Sequence, residues 1–124
     1  MKGAKNMEFD LKIVGEVIRR QRQNKGLSQE IMSGFAVIAR SHWSEIESGK
    51  HALWLETFWK IATALELRPS ELMRLIEEET ERRKQEENEQ KQEYYLCQTI
   101  HNTFFKMPST AIHTTMSSKR RDLI

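Results

Sequence analysis

The sequence predicts an all-α fold with five helices over residues 11–76, followed by a charged helical extension. Apolar residues recur in this segment at spacings of three and four, the period of a helix with one buried face. Gly26, Gly49 and Pro69 lie between the periodic segments, where glycine ends a helix and proline begins one. Residues 77–93 contain no apolar residue, but opposite charges four apart support a solvated helix there.

The first three helices are predicted over residues 11–25, about 29–35 and about 40–48, the last two joined by a tight turn. Ser28 can cap the second helix by accepting a hydrogen bond from a free backbone N–H. The apolar side chains expected in the core from these helices are Val14, Val17, Ile18, Ile31, Met32, Phe35, Trp43 and Ile46.

The fourth helix is predicted over residues 55–65, and the fifth begins near Pro69, which fits a first helical turn. The side chains expected in the core from these two helices are Leu55, Phe58, Ile61, Ala62, Leu65, Leu72, Leu75 and Ile76.

The composition of the 124 residues excludes several classes of protein. The single cysteine, Cys97, rules out an internal disulfide and a cysteine-rich zinc site, and it suits a reducing compartment. No apolar run approaches the ~18 residues of a membrane span, and the N-terminus does not have the pattern of a signal peptide. We therefore expect a cytoplasmic protein with no membrane partner.

Charge varies along the chain, although the formal net charge is only +2. Residues 1–76 carry 12 basic and 9 acidic side chains, residues 77–93 carry 4 and 8, and residues 94–124 carry 4 and 1. A mildly basic domain, an acidic connector and a basic tail can each meet a different partner.

Four segments are predicted from these patterns. Residues 1–10 are expected to be a flexible arm, and residues 11–76 the folded domain. Residues 77–96 are expected to be a charged helical extension, and residues 97–124 a basic tail that is poorly ordered or depends on a partner.

An ordered set of short motifs resembles a known family over about residues 12–76. The motifs are Gly15…Ile18-Arg19…Arg22, Gly26-Leu27-Ser28-Gln29-Glu30, Ser44-x-Ile46-Glu47-x-Gly49-Lys50, Lys60-Ile61-Ala62-x-Ala64-Leu65 and Glu71-Leu72. This set resembles the DNA-binding domain of phage-repressor-like regulators, the helix-turn-helix group that includes lambda repressor, Cro and the xenobiotic-response-element family. The resemblance implies a five-helix lambda-repressor-like domain whose third helix enters the DNA major groove.

The resemblance also implies roles for individual residues. The positions expected to read DNA bases are Arg40, Ser41, His42, Ser44 and Glu45. Arg can bond guanine O6 and N7, and Glu can accept from cytosine N4. Taken alone, Arg40 and Glu45 could each be an ordinary solvated side chain, and His42 could equally be a surface histidine.

Contacts to the DNA backbone are implied for Gln29, Ser48 and Lys50, and Gln29 can also brace a side chain of the third helix. Arg22 and Glu47 match a pair that forms a structural ion pair between the first and third helices.

Several positions depart from the family pattern. Val37 replaces a turn glycine that generally has a positive φ, which a β-branched residue resists, and Ala39 replaces a capping Ser or Thr. Trp43 is expected in the core, and Trp59 in the core or facing a dimer partner. For Trp54, packing on the domain, contact with DNA backbone and contact with a partner subunit all stay open.

The sequence therefore predicts a DNA-binding transcriptional regulator that binds double-stranded DNA as a homodimer on a palindromic site. The alternative is a protein-interaction module, antitoxin-like or an adaptor, whose partner binds through residues 77–124. No enzymatic activity, cofactor or metal is expected, because Cys97 and His101 alone make a poor catalytic or metal site.

Overall fold

The computed structural model describes residues 8–104, and within this part of the chain the fold is all-α, as predicted. Its five helices are α1 (Leu11–Asn24), α2 (Gln29–Ala36), α3 (Arg40–Glu47), α4 (Leu55–Ala64) and α5 (Pro69–Phe104). The chain divides into two compact units, the first ending at Lys84 and the second beginning at Gln85. None of the helices in the described part has the length and apolar character that a membrane span needs.

The helix ends follow local capping rules. Asp10 accepts a hydrogen bond of 2.9 Å from the backbone N–H of Lys12, and Ser28 accepts one of 3.3 Å from that of Ile31. Gly26 and Gly49 take positive φ values of 68° and 72°, each two residues after the last residue of α1 and α3. Glycine adopts this left-handed conformation without steric cost, and both helices end within one residue of the predicted positions.

The core of the first unit is formed by buried side chains from all five helices. Its fully buried large members are Ile18, Met32, Trp43, Ile46, Ile61, Leu65 and Leu72. Trp43 is therefore a core residue, as expected from the sequence.

Four apolar residues that the sequence allowed or placed in the core are exposed: Ile31 (47%), Phe35 (63%), Leu55 (75%) and Trp59 (58%). Ile31 and Phe35 are four residues apart and share one side of α2, about 100° around the helix from the side of its buried Met32 and Ala36. The sequence placed Ile31, Met32 and Phe35 in the core together, but they lie on two different sides of a short helix.

Beyond the apolar side chains Leu72 and Ile76, α5 contacts α1 through charged side chains. Glu79 is 6% exposed, and its carboxylate accepts hydrogen bonds from Arg20, at 3.2 Å, and from Arg82 and Arg83. Arg83 also bonds Glu16 of α1. The sequence predicted that this segment is solvated. The structure differs at residues 79–83, because Arg20 of α1 bonds Glu79 and Arg83 bonds Glu16 of α1.

The helix α5 continues to Phe104, eight residues into the segment for which a poorly ordered or partner-dependent tail was expected. The rest of that segment, residues 105–124, lies outside the described residues, as do residues 1–7 of the expected arm.

Candidate nucleic-acid interface

The short helix α3 has one buried side and one exposed side. Trp43, Ile46 and Glu47 are buried against the core. Successive residues of a helix are about 100° apart, so Ser41 and Glu45 point away from that buried side, with Ser44 and Ser48 beside them. Arg40 lies on one edge of the exposed side and His42 on the other. The five predicted base-reading residues are thus distributed over one accessible surface, although His42 and Glu45 are only partly exposed.

The buried carboxylate of Glu47 fixes α3 to the two preceding helices. It accepts hydrogen bonds from Arg22 Nε at 2.6 Å, Gln29 Nε2 at 2.7 Å and Trp43 Nε1 at 2.6 Å. Arg22 also donates from Nη1 to the backbone oxygen of Leu27, at 2.8 Å. One carboxylate therefore joins α1, the start of α2 and α3 itself.

The charge state of Glu47 follows from these contacts. Burial raises the pKa of the carboxyl group, but the hydrogen bonds from Arg22, Gln29 and Trp43 outweigh it and hold the pKa below its ordinary value. Glu47 therefore stays ionised at neutral pH, and its negative charge is matched by an Arg22 side chain that is only 11% exposed.

A close backbone contact supports the same junction. Gly15 of α1 lies against α3 so closely that a Cβ atom there would come within 2.5 Å of the backbone oxygens of Ile46 and Glu47. Only glycine permits this approach. The sequence showed Gly15 as part of a family motif but gave no reason for it, because the reason is a contact with residues 31 and 32 positions away.

The turn before α3 has unfavourable local geometry. Val37 has φ 55° and ψ 47°, the left-handed region that β-branched residues rarely occupy, and its side chain is 83% exposed. Its N–H and that of Ile38 bond the oxygens of Gly34 and Ser33, which closes α2. Ala39 precedes α3 without any side-chain cap. The turn thus keeps the left-handed geometry of a glycine position although a valine occupies it.

The residues predicted to contact DNA backbone lie in different environments. Lys50 is exposed just after α3, and the Ser48 hydroxyl donates to the backbone oxygen of Glu45 at 3.0 Å. The amide of Gln29 is occupied by Glu47, so it braces α3 within the domain. The sequence analysis did not identify Lys12 as a site residue. Its backbone lies against Gly49, the residue before Lys50, and both lysines are exposed.

A histidine beyond α3 also lies beside the predicted base-reading residues. The Nδ1 atom of His51 is 3.4 Å from Oε2 of Glu45, and its ring centroid is 5.4 Å from that of His42. The sequence gave no signal for this contact, because the loop after Gly49 has no periodicity.

Among residues 8–104, no group of three or more His, Cys, Asp or Glu side chains could hold a metal ion. Cys97 is exposed on α5. The side chains on the exposed side of α3 can offer hydrogen bonds and charge.

Comparison with solved structures identifies proteins with the same arrangement of helices. The restriction-modification controller protein C.Esp1396I, as a tetramer in complex with its natural 35 base-pair operator, has a TM-score of 0.56 and 26% identity, covering 59% of this chain and 96% of that one. The clp gene regulator ClgR from Corynebacterium glutamicum has a TM-score of 0.64 and 15% identity, covering 68% and 90%. The controller protein C.AhdI from Aeromonas hydrophila is 37% identical, with a TM-score of 0.49, covering 50% and 94%.

No protein-family model matches this chain, and no curated protein matches it significantly. The structural neighbours are regulators rather than enzymes, and they support a helix-turn-helix DNA-binding family. The likenesses to ClgR and C.Esp1396I show the fold, which agrees with the five-helix prediction from the sequence.

Proposed function

We propose that this chain, which has the helix-turn-helix fold of the restriction-modification controller proteins, is a sequence-specific DNA-binding transcriptional regulator. In this proposal α3 enters the major groove, and Arg40, Ser41, Ser44 and Glu45 meet base edges, with His42 at the border of the contact. The observation that carries the proposal is the exposed polar side of α3 on a helix fixed from behind by Glu47.

The opposite charges of Arg40 and Glu45 favour selective reading over general attraction to DNA. A surface that binds any sequence needs only cations, since affinity then depends on the number of neutralised phosphates. An acidic side chain at the centre of the exposed side reduces that attraction. Glu45 contributes to binding only where it accepts a hydrogen bond from a base, which makes its contribution depend on the DNA sequence. Lys50 and Lys12 supply the cations for the adjacent phosphates.

Binding as a homodimer is part of the proposal, because two copies of α3 can recognise a palindrome with half-sites about 34 Å apart. The surface we propose for the second copy is the apolar groove between α4 and α5, a cavity of about 280 Å³ lined by exposed Phe9, Leu55 and Met73. The operator-bound tetramer of C.Esp1396I supports an assembly of several copies on DNA.

Selection of bound sequences from random DNA tests the proposal. We expect a motif with two-fold symmetry, and a protein mass in solution of twice the chain mass. Recovery of no preferred sequence, together with co-purification of a protein partner, would favour the protein-interaction module instead.

Two variants separate base reading from phosphate contact. Arg40→Ala should reduce preference at one base pair of each half-site by ~1–3 kcal/mol, and Lys50→Ala should weaken all sequences equally and lower the salt slope by ~1. Lys91→Ala removes an exposed lysine from the second part of α5 and serves as the control. An equal loss from Arg40→Ala on every sequence would contradict its base-reading role.

A further inference from the structure

His51 lies outside α3 but beside its exposed side. Its Nδ1 is 3.4 Å from the Glu45 carboxylate, and its ring packs at a tilt of 59° against His42, with a centroid distance of 5.4 Å. Because this arrangement places an imidazole nitrogen next to a proposed base-reading carboxylate, we propose that His51 is a specificity-determining residue that positions Glu45 for base recognition. This inference rests on the proposed function of α3.

Glu45 needs such a partner because it is otherwise free to move. Its side chain is 47% exposed, and no other side-chain contact of Glu45 holds its carboxylate in the described structure. A glutamate has several rotatable bonds, and a hydrogen bond to a base edge requires one of the many resulting positions. A neighbouring ring in contact with the carboxylate reduces the number of positions it samples before DNA arrives.

His51 is held well enough to serve as that neighbour. It follows Gly49 and Lys50, and the backbone N–H of each of these bonds an α3 oxygen, those of Ile46 and Glu45 respectively. The loop therefore leaves α3 in a defined direction and brings the imidazole back over the helix. The His51 ring also packs against that of His42.

The role belongs to recognition rather than to stability. Exposed polar contacts between side chains contribute little to folding, and the His51 side chain is 55% exposed. If His51 positions Glu45, its substitution should leave the free energy of unfolding nearly constant. It should alter the base preference at one position of the DNA site.

The test compares base preferences of full-length variants. Selection with Glu45→Ala first identifies the base pair whose preference depends on Glu45. His51→Ala should lower the preference at that same base pair by about threefold to tenfold, a part of what a full side chain–base contact provides. Preference at the base pair that depends on Arg40 should not change.

Two further variants test the mechanism. Asn carries an amide nitrogen close to the position of Nδ1, so His51→Asn should restore part of the preference. In the background of Glu45→Ala, His51→Ala should have no additional effect on that base pair. His101→Ala makes the same chemical change in α5 and should leave every preference unaltered. Thermal unfolding of each variant verifies that it is folded.

The outcomes distinguish this inference from the proposed function. If the wild-type chain selects no sequence, the proposed function fails. If it selects a motif but His51→Ala weakens all sequences equally, His51 contacts phosphate and the positioning role is wrong. If His51→Ala changes neither preference nor affinity, the contact with Glu45 has no part in recognition.

Discussion

The helix α3 is attached to the domain in two places that differ in how they are stabilised. In front, the turn at residues 37–39 contains a valine with φ 55° and an alanine that provides no cap. Behind, Glu47 accepts three side-chain donors from α1, α2 and α3, and Gly15 lets the backbones of α1 and α3 approach closely. Local geometry disfavours the first attachment, whereas tertiary contacts create the second.

The difference indicates which attachment fixes the direction of α3. A strained residue costs of order 1–3 kcal/mol and persists only where surrounding structure determines it. The contacts of Glu47 and the core position of Trp43 provide that structure. We therefore expect substitutions at the Glu47 junction to destabilise the domain strongly. Substitutions that relieve the strain in the turn at residues 37–39 should stabilise it.

The largest effect is expected from Glu47→Gln. It removes the charge that balances buried Arg22, and loss of one partner of a buried pair costs about 3–5 kcal/mol. Urea unfolding measures the loss, with Glu45→Gln on the exposed side of α3 as the control. Adding Arg22→Met removes the unbalanced cation, so the double variant should lose less than the sum of the single losses. Strictly additive losses would show that the pair is not coupled.

A smaller effect is expected from Glu79→Gln, which tests whether a second buried carboxylate behaves like Glu47. Its donors Arg20 and Arg82 are each 51% exposed, so solvent screens them more than it screens Arg22. We expect a loss of roughly 1–3 kcal/mol, the range for hydrogen bonds to a charged group. High salt should reduce this loss more than the loss from Glu47→Gln. Glu78→Gln, at an exposed ion pair with Arg74, is the matched control.

Acid should abolish the contribution of Glu79. Hydrogen bonds from Arg82, then Arg20 and Arg83, lower the pKa of Glu79 from 4.5 to about 2. A carboxyl group with a lowered folded pKa stabilises the fold fully above its unfolded pKa and loses that contribution as pH falls toward the folded value. The difference in stability between wild type and Glu79→Gln should therefore shrink between pH 4.5 and 2. A constant difference over this range would contradict the charge-based attachment.

In the front turn, Val37→Gly should stabilise the domain. Relief of left-handed strain gains of order 1–3 kcal/mol, partly offset by the backbone entropy of glycine, ~0.5–1 kcal/mol. A net gain of about 1 kcal/mol is expected in urea unfolding. Val37→Ala keeps a Cβ atom and should gain much less. A loss of stability in Val37→Gly would mean that the exposed valine makes contacts that outweigh its strain.

The smallest effect is expected from Ala39→Ser. A serine at this position can accept a hydrogen bond from a free N–H in the first turn of α3, and such caps contribute ~0.5–1 kcal/mol. Ala52→Ser in the exposed loop after α3 is the control, with a change near zero. If both serines have the same effect, capping is not the cause.

Much of the first unit could be predicted because local rules control it. Gly26, Gly49, Ser28 and Pro69 marked helix ends that the structure places within one or two residues. Apolar spacing identified α1 and most of α4, but it failed for Phe35 and Leu55, because periodicity does not show which side of a short helix meets the core. The base-reading residues stay a prediction, since only a complex with DNA can test them.

The sequence by itself determined the number of helices, their ends and the motif that joins α2 to α3, because caps, glycines and helical periodicity act within a few residues. Only the tertiary structure decided that Gln29, of the two roles the sequence allowed, is held by Glu47, that Gly15 admits the backbone of α3, and that Glu79 of α5 bonds Arg20 of α1. Those contacts join residues 18 to 59 positions apart. Their geometry depends on how the helices pack, which the spacing of residues within one helix does not specify.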